Sequence, residues 1–128
     1  MTVLLDTHAF IWFVLDDPKL SGTAKTLIED PSTDVLVSPA SYWEIAIKVR
    51  QKRLDLLAPY ADFMHRGLVG NDFDVLHIEP RHCEHTILLP LHHKDPFDRL
   101  LAAQTLVEGL LIVSVDVKFD QYGVQRVW

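Results

Sequence analysis

Four short, largely apolar runs punctuate this chain, at residues 2–5, 34–38, 74–78 and 110–115, and segments of helical character fill the intervals. A strand with one wet face alternates apolar and polar residues, whereas a strand covered on both faces reads as a continuous apolar run. Covered strands separated by helices pack as a mainly parallel sheet between helical layers. The pattern therefore predicts a three-layer α/β/α sandwich with a central sheet of four to five strands, the fifth an edge strand over residues 125–128.

The helices have readable ends. Residues 8–15 are apolar around the whole circumference of a helix, which calls for a buried or interfacial setting, and Asp16-Asp17-Pro18 breaks it. Ser21 opens a second helix that Pro31 ends. Ser41-Tyr42-Trp43-Glu44 reads as a capping box that starts a helix running to about Arg53. Pro59 opens a further helix, closed by residues 67–71, and Pro80 opens a short one that stops before Pro90. Asp95-Pro96 supplies an N-cap and a first-position proline for a helix through Glu108, with Gly109 beyond its end. Residues 51–59 read as a loop within the same domain.

At 128 residues the chain fits one domain spanning 1–128. With 48% hydrophobic and 23% charged residues it is built to fold, not to remain disordered. The longest apolar stretch, residues 9–15, is far short of the roughly 20 residues a membrane helix needs, and no basic segment precedes it as in a secretory signal. The lone cysteine, Cys83, has no internal partner for a disulfide. These features lead to the expectation of a cytoplasmic protein without membrane contact. The net charge of −6 argues against a broad electrostatic grip on nucleic acid. It leaves open a nuclease whose acids are clustered to hold cations, because a bound metal inverts the local field.

The placement of the acids points that way. Ligands of an open parallel sheet bind beyond the carboxyl ends of its strands. Asp6 follows the first strand and Asp116 the fourth, while Glu44 and Asp98 lie in first helical turns beside that rim. Four carboxylates on one rim raise each other's pKa or require a counterion. All-oxygen ligation suits Mg²⁺ or Mn²⁺, and such ions serve phosphodiester hydrolysis. Each acid also has a local explanation. Glu44 fits as the partner in the capping box and as the i,i+4 partner of Lys48. Asp98 fits as an acid answering Asp95 or complementing the helix dipole, and Asp116 as a turn residue. An acid ending an apolar strand, as Asp6 does, is harder to explain without a function.

The segments Leu4-Leu5-Asp6-Thr7-His8-Ala9, Val37-Ser38-Pro39-Ala40-Ser41-Tyr42-Trp43-Glu44-Ile45-Ala46, His92-His93-Lys94-Asp95-Pro96-Phe97-Asp98-Arg99-Leu100-Leu101-Ala102-Ala103-Gln104 and Val113-Ser114-Val115-Asp116 form an ordered set. Together they resemble the PIN-domain family, and most closely the VapC-type toxins of bacterial toxin–antitoxin pairs. The resemblance runs from Val3 to about Gly123. It implies that Asp6, Glu44, Asp98 and Asp116 are the metal-binding catalytic acids. It further implies Mg²⁺- or Mn²⁺-dependent cleavage of RNA, a small cognate antitoxin as protein partner and, with the apolar first helix, a homodimer. Asp95 is read as the N-cap in place of a ligand. Thr7 and Ser114 are candidates for bonding to metal-bound water or to a neighbouring acid, and Arg99 for contacting phosphate or tethering an acid. His92-His93-Lys94 is a candidate substrate contact. Lys48, Arg50, Lys52 and Arg53 read as a solvated helix face or as a guide for RNA.

Three other readings compete. His82-Cys83-Glu84-His85 offers two histidines at i,i+3 beside a cysteine, but not the paired thiolates of structural zinc, and reads as surface helix. A non-catalytic PIN-like module acting through a protein partner would draw on Phe10, Trp12, Phe13 and Trp43. Retention of all four acids weighs against it. A phosphoacceptor receiver domain would need an adjacent acidic pair at the first strand, and Asp6-Thr7 does not supply one.

Overall fold

The computed structural model describes residues 1–128 and contains five strands: β1 (Thr2–Leu5), β2 (Asp34–Val37), β3 (Asp74–Val75), β4 (Leu111–Val113) and β5 (Gln125–Val127). All pairings are parallel, and the order across the sheet is β3-β2-β1-β4-β5. The chain moves outward from β1 through β2 to β3, then crosses to the other side of β1 for β4 and β5. The direction thus switches between β1 and β4, which makes the crevice beyond their carboxyl ends the natural ligand site. Asp6 N–H donates to Val113 O at 3.1 Å, which carries the ladder one residue past β1 and fixes Asp6 at that crevice.

Alternation along the strands sends side chains to both faces. Val3, Leu5, Val35 and Val37 join Phe10 and Ile11 of α1 (Thr7–Val14), Ala24 and Ile28 of α2 (Gly22–Glu29), Ile45 of α3 (Pro39–Arg50) and Phe63 of α4 (Tyr60–Leu68). Leu4 and Ile112 face the opposite way, onto Leu101 and Ala102 of α6 (Pro96–Glu108) and onto Phe119. Helix α5 (Pro80–Leu88) packs against α6. The architecture is the predicted three-layer α/β/α sandwich with a parallel five-stranded sheet. No helix is long and apolar enough to cross a membrane.

Several local expectations change. β3 has two residues, not five, because it is an edge strand with β2 as its only partner; beyond it Leu76 N–H still reaches Val37 O at 3.0 Å, but His77 and Ile78 are exposed. The capping box at Ser41 is overturned. Helix α3 starts three residues earlier than that at the N-cap Ser38, whose hydroxyl accepts from Ala40 N–H at 3.1 Å, with Pro39 in the first turn. A serine cap followed by proline is a stronger start signal than the Ser-x-x-Glu pattern inside the helix. Ser41 and Glu44, three apart and so on one face, are both buried.

Helix α4 ends at Leu68 with Val69 as C-cap, within the stretch 67–71 expected to close it, and Gly67 lies in its last turn. A Cβ there would stand 2.6 Å from Phe10 Cζ and 2.9 Å from Val14 Cγ2, so the missing side chain lets α4 approach α1. Helix α6 follows its sequence signals: Asp95 Oδ1 accepts from Phe97 N–H at 2.8 Å, and Gly109 closes the helix in the left-handed region at φ 64°. A 3-10 helix over Val117–Tyr122, opened by Asp116 as N-cap, was not anticipated.

His82 is fully buried, which corrects its reading as a surface residue. Its Nδ1 accepts from Glu79 N–H at 3.0 Å and its Nε2 lies 2.9 Å from Glu108 Oε1. Nδ1 thereby caps the start of α5 and Nε2 ties α5 to α6, while Cys83 is exposed, so this segment does not form a zinc site.

Candidate metal centre

Asp6 leaves β1 at the switch crevice and becomes the N-cap of α1, its Oδ1 accepting from Ala9 N–H at 2.8 Å. Burial raises its pKa to about 6, with smaller contributions from the charges of Glu44 and Asp116; the Ser114 hydroxyl and the Ala9 amide oppose the rise. Glu44 is buried on α3. Its Oε1 accepts from Thr7 Oγ1–H at 2.6 Å and its Oε2 from Lys48 Nζ at 2.8 Å. The i,i+4 pairing with Lys48 is therefore present, whereas the capping role is not.

Asp98, in the first turn of α6, is half-buried, and its pKa rises to about 7. Desolvation is the main cause, followed by the charges of Asp95, Glu44, Asp6 and Asp116. The charges of the other three predicted acids all bear on this one carboxyl, while only Asp98 and Asp116 of the four line the open cleft; Asp6 and Glu44 are buried. Asp116 behaves differently. Burial would raise its pKa, but the hydrogen bond from His93, the amide of Lys118 and the charges nearby pull it below the ordinary value.

The supporting residues divide. Thr7 is buried between two polar groups, donating to Glu44 and lying 2.9 Å from Ser41 Oγ. Ser114, fully buried, accepts from Asp116 N–H at 3.0 Å while its hydroxyl acts on Asp6. Asp95 lies close enough to raise the pKa of Asp98, yet its Oδ1 is engaged by two α6 amides. Arg99 goes elsewhere: its guanidinium donates to the carbonyls of Thr86, Leu89 and Pro90 and so ties down the end of α5, which overturns both site roles read for it. Lys48 is half-buried against Glu44, while Arg50, Lys52 and Arg53 are exposed.

His93 is the residue that sequence reasoning placed in the wrong role. It is buried and not an open substrate contact, and its Nε2 sits 2.7 Å from Asp116 Oδ2. One nitrogen of His93 and one oxygen each of Asp98 and Asp116 lie within 4.8 Å of one another. The only advance signal was the position of His93 just before the Asp95 cap. A cleft of about 510 Å³ opens here, lined by His92, His93, Asp95, Asp98 and Asp116, with Lys94 and Lys118 exposed on its walls.

The donor set matches a hard divalent cation. Carboxylate oxygens dominate it, two of the carboxyls have raised pKa values from burial and mutual charge, and a cation among them would offset that repulsion. Positive side chains at the cleft edge complement a polyanion.

The PIN domain family model matches residues 3–125. Ribonuclease VapC22 of Mycobacterium tuberculosis is 28% identical over 116 residues, covering 90% of this chain and 87% of that protein. Among solved structures, DNA-bound VapBC from Salmonella typhimurium superposes with a TM-score of 0.71 at 18% identity, covering 99% of this chain and 97% of that one. VapC20 of Mycobacterium tuberculosis, described as a sarcin–ricin-loop-cleaving toxin, gives a TM-score of 0.70 at 17% identity, with 98% of each chain covered. At these identities the likeness to the solved structures is one of fold.

Proposed function

The chain belongs to the PIN domain family, and from that premise we propose that it is a metal-dependent endoribonuclease acting as the toxin of a toxin–antitoxin pair. The observation that carries the reading is the approach of Asp98 and Asp116 within 4.8 Å at the cleft, with Asp6 and Asp98 both raised in pKa by burial and by neighbouring acids. The relationship to a curated ribonuclease over most of both chains supports it.

In this reading one PIN domain spans residues 1–128, and the four acids hold Mg²⁺ or Mn²⁺. A cation bound there lowers the pKa of a water and neutralises charge developing on the phosphate oxygens. The protein's own groups prepare the site. Thr7 fixes the rotamer of Glu44, and the Ser114 hydroxyl accepts from the Asp116 amide. Asp95 holds the first turn of α6 so that Asp98 faces the cleft. Lys94 and Lys118 draw the RNA phosphates to the cleft mouth, which offsets the net negative charge of the chain.

An antitoxin and a second copy of the chain are the proposed protein partners, in the cytoplasm. Several solved neighbours are VapBC complexes, which supports the first. An apolar groove of about 300 Å³ beside the acids, lined by Trp43, Ile78, Phe97 and Leu100, supplies surface for such a partner, and Trp43 is 67% exposed on it.

The test is expression of the chain alone in a bacterial host. Growth arrest by the wild type, absent with Asp6→Asn at equal protein level, supports the reading. Equal toxicity of the two, or of neither, contradicts it.

A further inference from the structure

Both ring nitrogens of His93 are engaged, and in the neutral form of the ring the partners determine which one carries hydrogen. The backbone N–H of His93 donates to the Tyr122 hydroxyl at 3.0 Å, Nδ1 lies 2.9 Å from the same oxygen, and Nε2 lies 2.7 Å from Asp116 Oδ2. The ring stacks on Tyr122 with 14° between planes and packs against Phe119, the centroids 4.8 Å apart. Tyr122 and Phe119 both belong to the 3-10 helix that Asp116 opens by accepting from Lys118 N–H at 2.9 Å. The chain thus leaves Asp116, makes one short helix, and returns to Asp116 through Tyr122 and His93.

A neutral imidazole has one donor nitrogen and one acceptor nitrogen. With hydrogen on Nδ1, the Nε2 lone pair would face a carboxylate oxygen at 2.7 Å, acceptor against acceptor. With hydrogen on Nε2, both contacts become bonds: Tyr122 O–H donates to Nδ1, and Nε2–H donates to Asp116. The phenol oxygen still accepts from the His93 amide, so every group is satisfied.

We infer that His93 is a positioning residue, holding the Asp116 carboxylate through Nε2–H in a tautomer imposed by Tyr122, and is not itself a metal ligand. The inference deepens the metal-dependent reading given above and rests on it. A nitrogen that carries hydrogen has no lone pair for a cation, so proximity to Asp98 and Asp116 does not make His93 a ligand. Asp116 meanwhile keeps acceptor capacity on both oxygens, each of which takes one protein bond. Such outer partners orient carboxylate ligands, and their loss typically costs 10–100-fold in metal affinity.

Two measurements on the full chain test this. Long-range ¹H–¹⁵N spectra of the imidazoles in metal-free protein should show hydrogen on Nε2 of His93 and none on Nδ1, unchanged at saturating Mg²⁺. Calorimetric titration with Mg²⁺ should show affinity weaker by about 10–100-fold in His93→Leu, with most of it recovered in His93→Gln, whose amide N–H can donate to Asp116. Hydrogen on Nδ1 in the wild type, loss of the Nε2 hydrogen on adding Mg²⁺, or wild-type affinity in His93→Leu overturns the assignment alone. Failure of the wild type to bind Mg²⁺ overturns the metal-dependent reading and takes this assignment with it.

Discussion

Thr7 Oγ1 donates to Glu44 Oε1 at 2.6 Å, joining the first turn of α1 to the middle of α3 in a setting closed to water. Because the single Thr7 hydrogen goes to Glu44, the contact at 2.9 Å to Ser41 has the serine as donor, giving a chain from Ser41 through Thr7 to the carboxylate. Thr7→Val breaks it at both ends and leaves a buried carboxylate oxygen short of a donor. The expected results are a loss of stability of about 1–3 kcal/mol and Mg²⁺ affinity weaker by about 10–100-fold. Thr7→Ser should retain both. Urea unfolding and calorimetry check this, and an unaltered affinity in Thr7→Val would remove Thr7 from the site.

The acids also set a pH dependence. A carboxyl whose pKa is raised on folding stabilises the fold while protonated. That contribution is complete below about pH 4, the range of unfolded acids, and is lost as pH rises through about 6 for Asp6 and about 7 for Asp98. Asp116, shifted the other way, contributes above its unfolded value and loses that contribution as pH falls. The Asp98→Asn variant isolates the first effect. Without metal it should melt above the wild type at pH 8, and the gap should shrink toward pH 4. Mg²⁺ at about 100 times its Kd should stabilise the wild type by about 2.7 kcal/mol and the variant far less. A gap independent of pH contradicts the electrostatic origin.

At Gly67 the close approach of α4 to α1 leaves no room for a methyl group. Since Phe10 is fully buried and its ring is wedged edge-on against Phe63 at 5.9 Å, the ring cannot move aside freely. Gly67→Ala should therefore destabilise by about 1–3 kcal/mol, as overpacking does, despite the better helix propensity of alanine. A stability gain in chemical denaturation would contradict this packing.

Arg99 serves the scaffold. Its three carbonyl contacts predict that Arg99→Ala lowers the melting temperature, while Mg²⁺ affinity stays close to that of the wild type. Arg99→Lys should recover little, because an ammonium cannot span the same carbonyls as a planar fork. If Arg99→Ala instead leaves the melting point unchanged and weakens RNA binding, the guanidinium has the role that sequence alone suggested.

What could be read from the sequence followed from local signals that agree with the tertiary structure. Apolar runs ending on Asp6 and near Asp116 marked the strand ends, and Asp95-Pro96 with Gly109 marked α6. The misreadings arose where a local pattern met a non-local partner. Ser41 and Glu44 have the spacing of a capping box, but Ser38-Pro39 starts the helix, and their actual partner, Thr7, lies on another helix. The end of α4 within residues 67–71 was legible, but the close packing of Gly67 on the Phe10 ring, far away in the chain, was not. His93 is joined to Asp116 and Tyr122 across 23 and 29 residues, a relation no spacing rule encodes.

Cleavage of RNA by the purified chain tests the central claim most directly. Labelled structured RNA incubated with wild type, Asp6→Asn and Asp98→Asn, each with Mg²⁺ or Mn²⁺ and with excess EDTA, gives the comparison. Because a metal site supplies several kcal/mol of transition-state stabilisation, the account predicts cleavage by the wild type, a fall of at least about 100-fold in each variant, and none in EDTA. Cleavage that persists undiminished in both variants, or in EDTA, would contradict it.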